Sequence, residues 1–103
     1  MDASPLQIAA LQSGKTVQIR PHGNSMRPRV CDGARVTVAP CQPEDLKAGD
    51  IVLVKVRRQV YLHLIKAIEG KRFLIGNNHG RINGWVGPNC IYGIATIIEN
   101  QAG

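Results

Sequence analysis

After residue 15 the chain contains a series of short segments in which hydrophobic and polar residues alternate or β-branched residues follow one another. Both patterns predict β-strands. The segments with either pattern are residues 16–20, 34–39, 50–56, 60–68, 72–75 and 91–99. Between them, residues 57–59 predict an exposed hairpin tip, residues 69–71 a turn, and residues 77–84, rich in Asn and Gly, a loop.

The first 14 residues predict a short helix instead. Ser4 can cap its start, Pro5 suits its first turn and Gly14 can end it. We therefore divide a single domain, residues 1–103, into a helical segment at 1–14 and a β core at 15–99. Strands separated by turns every eight to twelve residues or so predict a mainly β fold, either a folded-over antiparallel sheet or a partly open barrel.

The composition agrees with one small folded domain. The chain has 103 residues, of which 44% are hydrophobic and 19% charged, so it can bury one core and is too apolar to stay unfolded. Its longest strongly apolar stretch, residues 91–98, is far shorter than the ~20 residues that cross a bilayer. The acidic Asp2 and a short apolar run also argue against a secretory signal.

The net charge and the cysteine content bear on the partners and the cellular compartment of the chain. Thirteen Lys and Arg against seven Asp and Glu give a net charge of +6, which suits nucleic acid or an acidic partner without specifying either. Four aromatic residues are a poor supply for stacking on bases, so nucleic acid is not favoured. Three widely spaced cysteines, without a C-x-x-C pair, predict neither a zinc site nor a disulfide scaffold and favour a reducing cytoplasm. We expect no metal and no cofactor.

A loop between the first two predicted strands is the strongest candidate for chemistry. Residues 20–28 read Arg-Pro-His-Gly-Asn-Ser-Met-Arg-Pro, and the glycine and prolines predict a rigid turn around Ser25. A rigid loop can hold a hydroxyl outward and aim backbone N–H groups at one point, as an oxyanion site requires. Taken alone, a loop serine more often bonds a neighbouring backbone group.

Five further motifs follow this loop in order. Gly-Asn-Ser-Met-Arg-Pro at 23–28 precedes Gly-Asp-Ile-Val at 49–52, Tyr-Leu-His-Leu-Ile at 61–65 and Gly-Asn-Asn at 76–78. Gly-Trp-Val at 84–86 and Ile-Tyr-Gly-Ile-Ala at 91–95 complete the series. The set resembles the signal-peptidase and LexA-type serine peptidase superfamily over most of the chain. This resemblance implies a serine endopeptidase with Ser25 as its nucleophile.

The same resemblance makes His63 the general base and relates the chain to the branch that pairs serine with histidine. A neutral imidazole, whose ordinary pKa is ~6.5, can accept the serine proton near pH 7. Lys66 lies three positions further on, so strand parity turns it to the opposite face unless a bulge shifts the register. Other basic side chains are weaker candidates for the base: His22, His79 and Lys55.

Asn77 stands where the superfamily has an aspartate that completes a triad. We expect Asn77 or Asn78 to orient His63 through an amide oxygen, which cannot stabilise an imidazolium with a full charge. Asn24 and Met26, beside the nucleophile, are expected to support the oxyanion site. Two acids lie beside glycines and are expected to form turns rather than a triad: Asp32 and Asp50.

Two functional hypotheses follow. The first is a soluble, minimal endopeptidase, without the anchor or DNA-binding domain of its relatives, that trims a partner protein in the cytoplasm. By resemblance, its substrate is an extended peptide that lies beside a strand, with small residues before the cut. The second is an inactive relative that binds a peptide or nucleic acid. The sequence does not specify an oligomeric state.

Overall fold

The computed structural model describes residues 3–100, which form seven strands and one α-helix. The elements are α1 Pro5–Gln12, β1 Val17–Ile19, β2 Arg35–Ala39, β3 Ile51–Val56, β4 Gln59–Glu69, β5 Arg72–Gly76, β6 Ile82–Val86 and β7 Ile91–Glu99. Short 3₁₀ turns at Pro43–Asp45 and Pro88–Cys90 precede β3 and β7. The predicted mainly β class with one short helix is confirmed.

The strands form one open antiparallel sheet in the order β1-β2-β7-β3-β4-β5-β6. Each neighbouring pair is antiparallel, and β7 returns from the end of the chain to lie between β2 and β3. A turn closed by Asp50, whose Oδ2 accepts the N–H of Lys47 at 3.0 Å, leads into β3. This is the turn role expected for Asp50.

Both faces of β3, the middle strand of the sheet, are largely buried. On one face of β3, Ile51 and Leu53 belong to a first hydrophobic cluster. On the other face, Val52, Val54 and Val56 belong to a second cluster, which also contains Phe73. Burial of both faces explains why β3 is almost continuously apolar instead of alternating. The first cluster also takes in Met26, so the loop that carries Ser25 is anchored in the core.

The N-terminal helix begins where its sequence predicts. The Gln7 N–H donates to Ser4 Oγ at 3.2 Å, and the Ser4 N–H donates to Gln7 Oε1 at 2.9 Å, which forms a capping box. Leu11 is buried against the sheet, whereas Leu6 is 83% exposed. Among residues 3–100, no helix is both long and apolar enough to cross a membrane.

The loop predicted at residues 77–84 is wrong in its second half. Strand β6 begins at Ile82 and pairs with β5, including Gly84 opposite Ile75. Asn and Gly disfavour strands on their own, but pairing with a neighbour overrides so weak a local preference. The correction matters for function because it places Asn83 on a strand at the edge of the sheet.

Candidate active site

Ser25 lies in the long loop between β1 and β2, and its side chain is exposed. Met26 and Val30, which are 4% and 3% exposed, hold this loop to the first hydrophobic cluster. The Val30 N–H donates to the Met26 carbonyl at 2.9 Å. Asp32 Oδ1 accepts the Gly23 N–H at 2.7 Å, which gives this carboxylate the turn role expected for it. The nucleophile candidate therefore sits on a tightly bonded loop.

A second loop, residues 77–81 between β5 and β6, fastens the serine loop from the other side. The Asn78 N–H donates to the Ser25 carbonyl at 3.0 Å, and Asn78 Nδ2 donates to the Arg27 carbonyl at 2.7 Å. His79 Nε2 lies 3.0 Å from the Asn24 carbonyl. Asn78, predicted to orient His63 or support the site, thus bonds the backbone that carries Ser25.

His63 lies on β4 and is 6% exposed. Its Nε2 is 3.2 Å from Ser25 Oγ, within hydrogen-bond reach. Tyr61, two residues earlier and so on the same face of the strand, stacks on the imidazole with ring centroids 4.7 Å apart and planes at 21°. The stacked ring fixes the plane of the imidazole beside the serine. This i, i+2 pairing was available in the sequence, although the predicted site did not include Tyr61.

The other imidazole nitrogen of His63 meets Asn83. His63 Nδ1 is 2.7 Å from Asn83 Oδ1. Because an amide oxygen only accepts hydrogen bonds, this contact assigns the imidazole proton to Nδ1. Nε2 then presents its lone pair to the Ser25 hydroxyl, which is the tautomer a general base requires.

The interpretation of Asn77 as the group that orients His63 needs correction. Asn77 Oδ1 accepts the backbone N–H groups of His79 at 2.8 Å and Arg81 at 3.0 Å, so this side chain shapes the β5–β6 loop. Asn83 takes the position at Nδ1 instead. The sequence does not indicate Asn83, because its Asn- and Gly-rich segment predicts a loop, in which no strand register assigns a side chain to a face.

Of the alternative bases, His22 lines the cleft at Ser25, and Lys66 and Lys55 do not. A bulge in β4 does occur at Lys66, since the register with β5 shifts between positions 65 and 67. The Lys66 stem nevertheless lies over Gly76, where an added Cβ would be 3.0 Å from Lys66 Cε. His22 lines the cleft at Ser25 with its Nδ1 3.6 Å from Asp32 Oδ1. Among the described residues, those that line this cleft include neither Lys66 nor Lys55.

The cleft beside Ser25 has a volume of about 280 Å³. One wall is apolar and consists of Met26, Val30, Val60 and Leu62. None of the described residues that line it is Asp or Glu. Within residues 3–100, no group of three or more His, Cys, Asp and Glu side chains could hold a metal ion.

The backbone of β4 is available along this cleft. Ile65 bonds toward β3, since its N–H donates to the Asp50 carbonyl at 2.9 Å and its carbonyl accepts the Gly49 N–H at 2.8 Å. Backbone groups of alternate residues in an antiparallel strand point in opposite directions, so those of Val60 and Leu62 point away from β3. The register with β5 begins only at position 64. Val60 and Leu62 therefore present a short strand edge to the cleft.

The cysteines are free thiols in the described structure. Cys31 lines the cleft at Ser25. Burial raises the pKa of the Cys41 thiol, and the nearby Asp50 and Asp45 carboxylates raise it further. Cys41 is thus kept as a neutral thiol at neutral pH, which is the less nucleophilic form.

Comparison with known proteins agrees with this geometry. The family model described as Peptidase S24-like matches residues 2–83, a range that includes the serine loop, β4 and Asn83. The chain belongs to the Peptidase S24-like family. No curated protein and no solved structure gives a significant match. In this Peptidase S24-like chain, β7 lies beyond the matched range yet is an interior strand, between β2 and β3.

Proposed function

We propose that this Peptidase S24-like chain is a serine endopeptidase that cleaves an extended segment of a partner protein. Ser25 is the nucleophile and His63 the general base. The observation that carries the proposal is the continuous series of contacts from Ser25 Oγ to His63 Nε2, at 3.2 Å, and from His63 Nδ1 to Asn83 Oδ1, at 2.7 Å. A nucleophile bonded to a base that a third group orients is the arrangement used for acyl transfer.

In the acylation step, Ser25 Oγ attacks the scissile carbonyl carbon while its proton passes to His63 Nε2. The carbonyl oxygen becomes an oxyanion, which the Ser25 backbone N–H stabilises together with a second donor of the serine loop. His63 then gives the proton to the leaving amine, the C–N bond breaks, and an acyl ester remains on Ser25. Water attacks this ester by the same route, with His63 again as base.

Asn83 supports this cycle without a charge. Its Oδ1 accepts the hydrogen bond from the Nδ1–H group throughout, so the ring keeps its orientation when it becomes an imidazolium. The face of the Tyr61 ring adds a weaker attraction for the positive ring. A neutral amide stabilises the imidazolium less than a carboxylate does, so we expect slow turnover.

The substrate binds as an added strand beside β4. The outward backbone groups of Val60 and Leu62 can form ladder hydrogen bonds with an extended peptide, which is a common way to bind a peptide by its main chain. Such a strand passes over the apolar wall of Met26 and Val30 and brings one carbonyl to Ser25. The superfamily resemblance adds a preference for small residues before the cut. Free cysteines suit a reducing compartment, so we place this activity in the cytoplasm.

Cleavage of an unfolded protein mixture tests the proposal. Wild type and Ser25→Ala are incubated with the mixture, and the new N-termini are mapped by mass spectrometry. Ser13→Ala, an exposed serine at the end of α1, is the matched control. We expect a recurrent cleavage pattern from wild type and Ser13→Ala and none from Ser25→Ala. Identical fragments from all three proteins would refute the peptidase assignment.

A binding module without catalysis is the second candidate, and two observations favour it: the neutral Asn83 at the imidazole and the net charge of +6. If phosphates are the ligand, affinity for duplex DNA falls with salt at a log–log slope of about −0.9 per contact. Titration of labelled duplex at several salt concentrations measures this slope. Salt-insensitive binding, or none, would leave a peptide as the only ligand for this candidate.

A further inference from the structure

Asn83 is the one asparagine of the six in this chain that precedes a glycine. In that context the next backbone nitrogen reaches the asparagine amide carbon most easily, because glycine has no side chain in the way. We propose that Asn83–Gly84 is a deamidation site, and that the aspartate formed at position 83 strengthens His63 as a base. The second half of this inference rests on the proposed peptidase function.

The reaction balances with water as its only co-reactant. The Gly84 backbone nitrogen attacks Asn83 Cγ, a new N–C bond forms, and the Cγ–Nδ2 bond breaks. The amide NH₂ leaves as ammonia with the proton that the Gly84 nitrogen gives up, and a five-membered imide remains. Water then opens the imide, which yields aspartate if the bond to Cγ breaks and isoaspartate if the other imide bond breaks.

The contact with His63 promotes the first step. Negative charge develops on Asn83 Oδ1 as the Gly84 nitrogen attacks, and that oxygen lies 2.7 Å from His63 Nδ1. A donor aimed at an oxygen that gains charge lowers the barrier, as in an oxyanion hole. The group that Asn83 orients thus activates the Asn83 amide.

The local backbone also suits the reaction. Ile82 pairs with Gly76 and Gly84 pairs with Ile75, so Asn83 is the extra residue of a bulge. Strand β6 is at the edge of the sheet, where local opening requires the loss of one neighbour only. Gly84 has φ +140°, a backbone conformation that residues other than glycine rarely adopt. The dipeptide therefore lies at an interrupted, outermost part of the ladder.

The aspartate product changes the chemistry at Nδ1 while it keeps the geometry. A carboxylate oxygen accepts the hydrogen bond from Nδ1–H as the amide oxygen does. Its charge also favours the imidazolium, so the ring keeps its second proton up to a pH about one to three units higher. A stronger base takes the Ser25 proton more readily. We therefore expect the plateau of kcat/KM, reached above the pH at which His63 becomes neutral, to rise about tenfold. Isoaspartate lengthens the backbone by one carbon, moves the carboxylate away and gives no such gain.

Incubation of the purified chain for several days at mildly alkaline pH tests both parts of the proposal, the deamidation of Asn83 and the strengthening of His63 as a base. Samples taken over days are digested, and the mass gain from NH₂ to OH is measured at each of the six asparagines. Cleavage by a protease that cuts before aspartate, and not before isoaspartate, measures the aspartate fraction at position 83. Ser25→Ala is aged in parallel because it cannot cleave itself by the proposed mechanism. Peptidase activity of aged wild type is compared with that of fresh Asn83→Asp.

We expect Asn83 to convert faster than every other asparagine in both proteins, and activity to rise in proportion to the aspartate fraction. Conversion of Asn83 no faster than of the others would overturn the deamidation site. Formation of isoaspartate alone, or of aspartate without a gain in activity, would overturn the strengthening of His63. Activity of fresh wild type, measured before ageing, separates either failure from a failure of the peptidase proposal.

Discussion

For single residues, the chemistry of the site depends on what the two imidazole nitrogens of His63 meet. Nε2 faces the Ser25 hydroxyl, and Nδ1 faces an amide oxygen where a carboxylate would stabilise positive charge more strongly. Tyr61 and Asn83 fix the plane and the tautomer of the ring. The contacts that the proposed mechanism requires of His63 are thus present on both nitrogens, and the group at Nδ1 is neutral.

Asn83→Asp tests this division between geometry and charge. The carboxylate should raise the plateau of kcat/KM against pH about tenfold. It should also move the acid limb of this profile to a pH about one to three units higher, because the base must be neutral to act. Asn83→Leu, which accepts no hydrogen bond, should lower kcat/KM at every pH. Asn89→Asp adds the same charge at an exposed site and is the control. An unchanged profile in Asn83→Asp would contradict the role assigned to Asn83.

The identity of the base is tested by comparing His63→Ala with Lys66→Met. A histidine base, whose ordinary pKa is ~6.5, gives a kcat/KM that rises over roughly pH 6 to 7 and then stays level. Lys66→Met removes the amine but keeps a stem over Gly76, so it should preserve this profile, whereas His63→Ala should abolish activity. A rise centred above pH 8 that disappears in Lys66→Met would move the base to Lys66.

At the scale of elements, what the sequence predicts well is local. Patterns within a few residues predict the helix capping box of Ser4 and Gln7. They also predict most of the strands, including the last, residues 91–99. Strand β6 and the contact of Asn83 with His63 are not predicted in this way, because both depend on pairing across the sheet. The superfamily motifs indicate Ser25 and His63, whereas the residue that contacts His63 Nδ1, Asn83, lies six positions after Asn77 and outside the motif.

The junction of β5 with the 77–81 loop should tolerate no side chain at Gly76. An added Cβ would lie 2.5 Å from the Arg81 carbonyl oxygen, which is backbone and must shift. We expect Gly76→Ala to lower the free energy of unfolding by about 1 to 3 kcal/mol. It should also lower kcat/KM, because this loop bonds the backbone of Ser25. Gly87→Ala, with nothing within 4 Å of its Cβ, is the control.

These effects are measured by urea denaturation and by peptide cleavage under conditions in which both variants are folded. Gly87→Ala should match wild type in both measurements. Equal stability of Gly76→Ala and wild type would show that the loop has an alternative packing. That outcome would contradict the view that the 77–81 loop holds the serine loop in one position.

For the whole molecule, the open sheet brings distant segments to one place. The β1–β2 loop supplies Ser25, the interior strand β4 supplies His63, and the edge strand β6 supplies Asn83. Of the four aromatic side chains, Phe73 is buried, Tyr92 is half-buried, Tyr61 stacks on His63 and Trp85 lies under the Arg72 guanidinium at 5.3 Å. This placement agrees with the proposal that the partner is a protein substrate.

Covalent labelling of Ser25 tests the central claim most directly. Wild type, Ser25→Ala, His63→Ala and Ser13→Ala are treated with a fluorophosphonate, and the modified residue is located by peptide mapping. The hydroxyl becomes nucleophilic only when a neighbouring base takes its proton. We therefore predict an adduct on Ser25 in wild type and Ser13→Ala and no adduct there in His63→Ala or Ser25→Ala. An adduct that forms equally with and without His63, or none on Ser25 in wild type, would contradict the account.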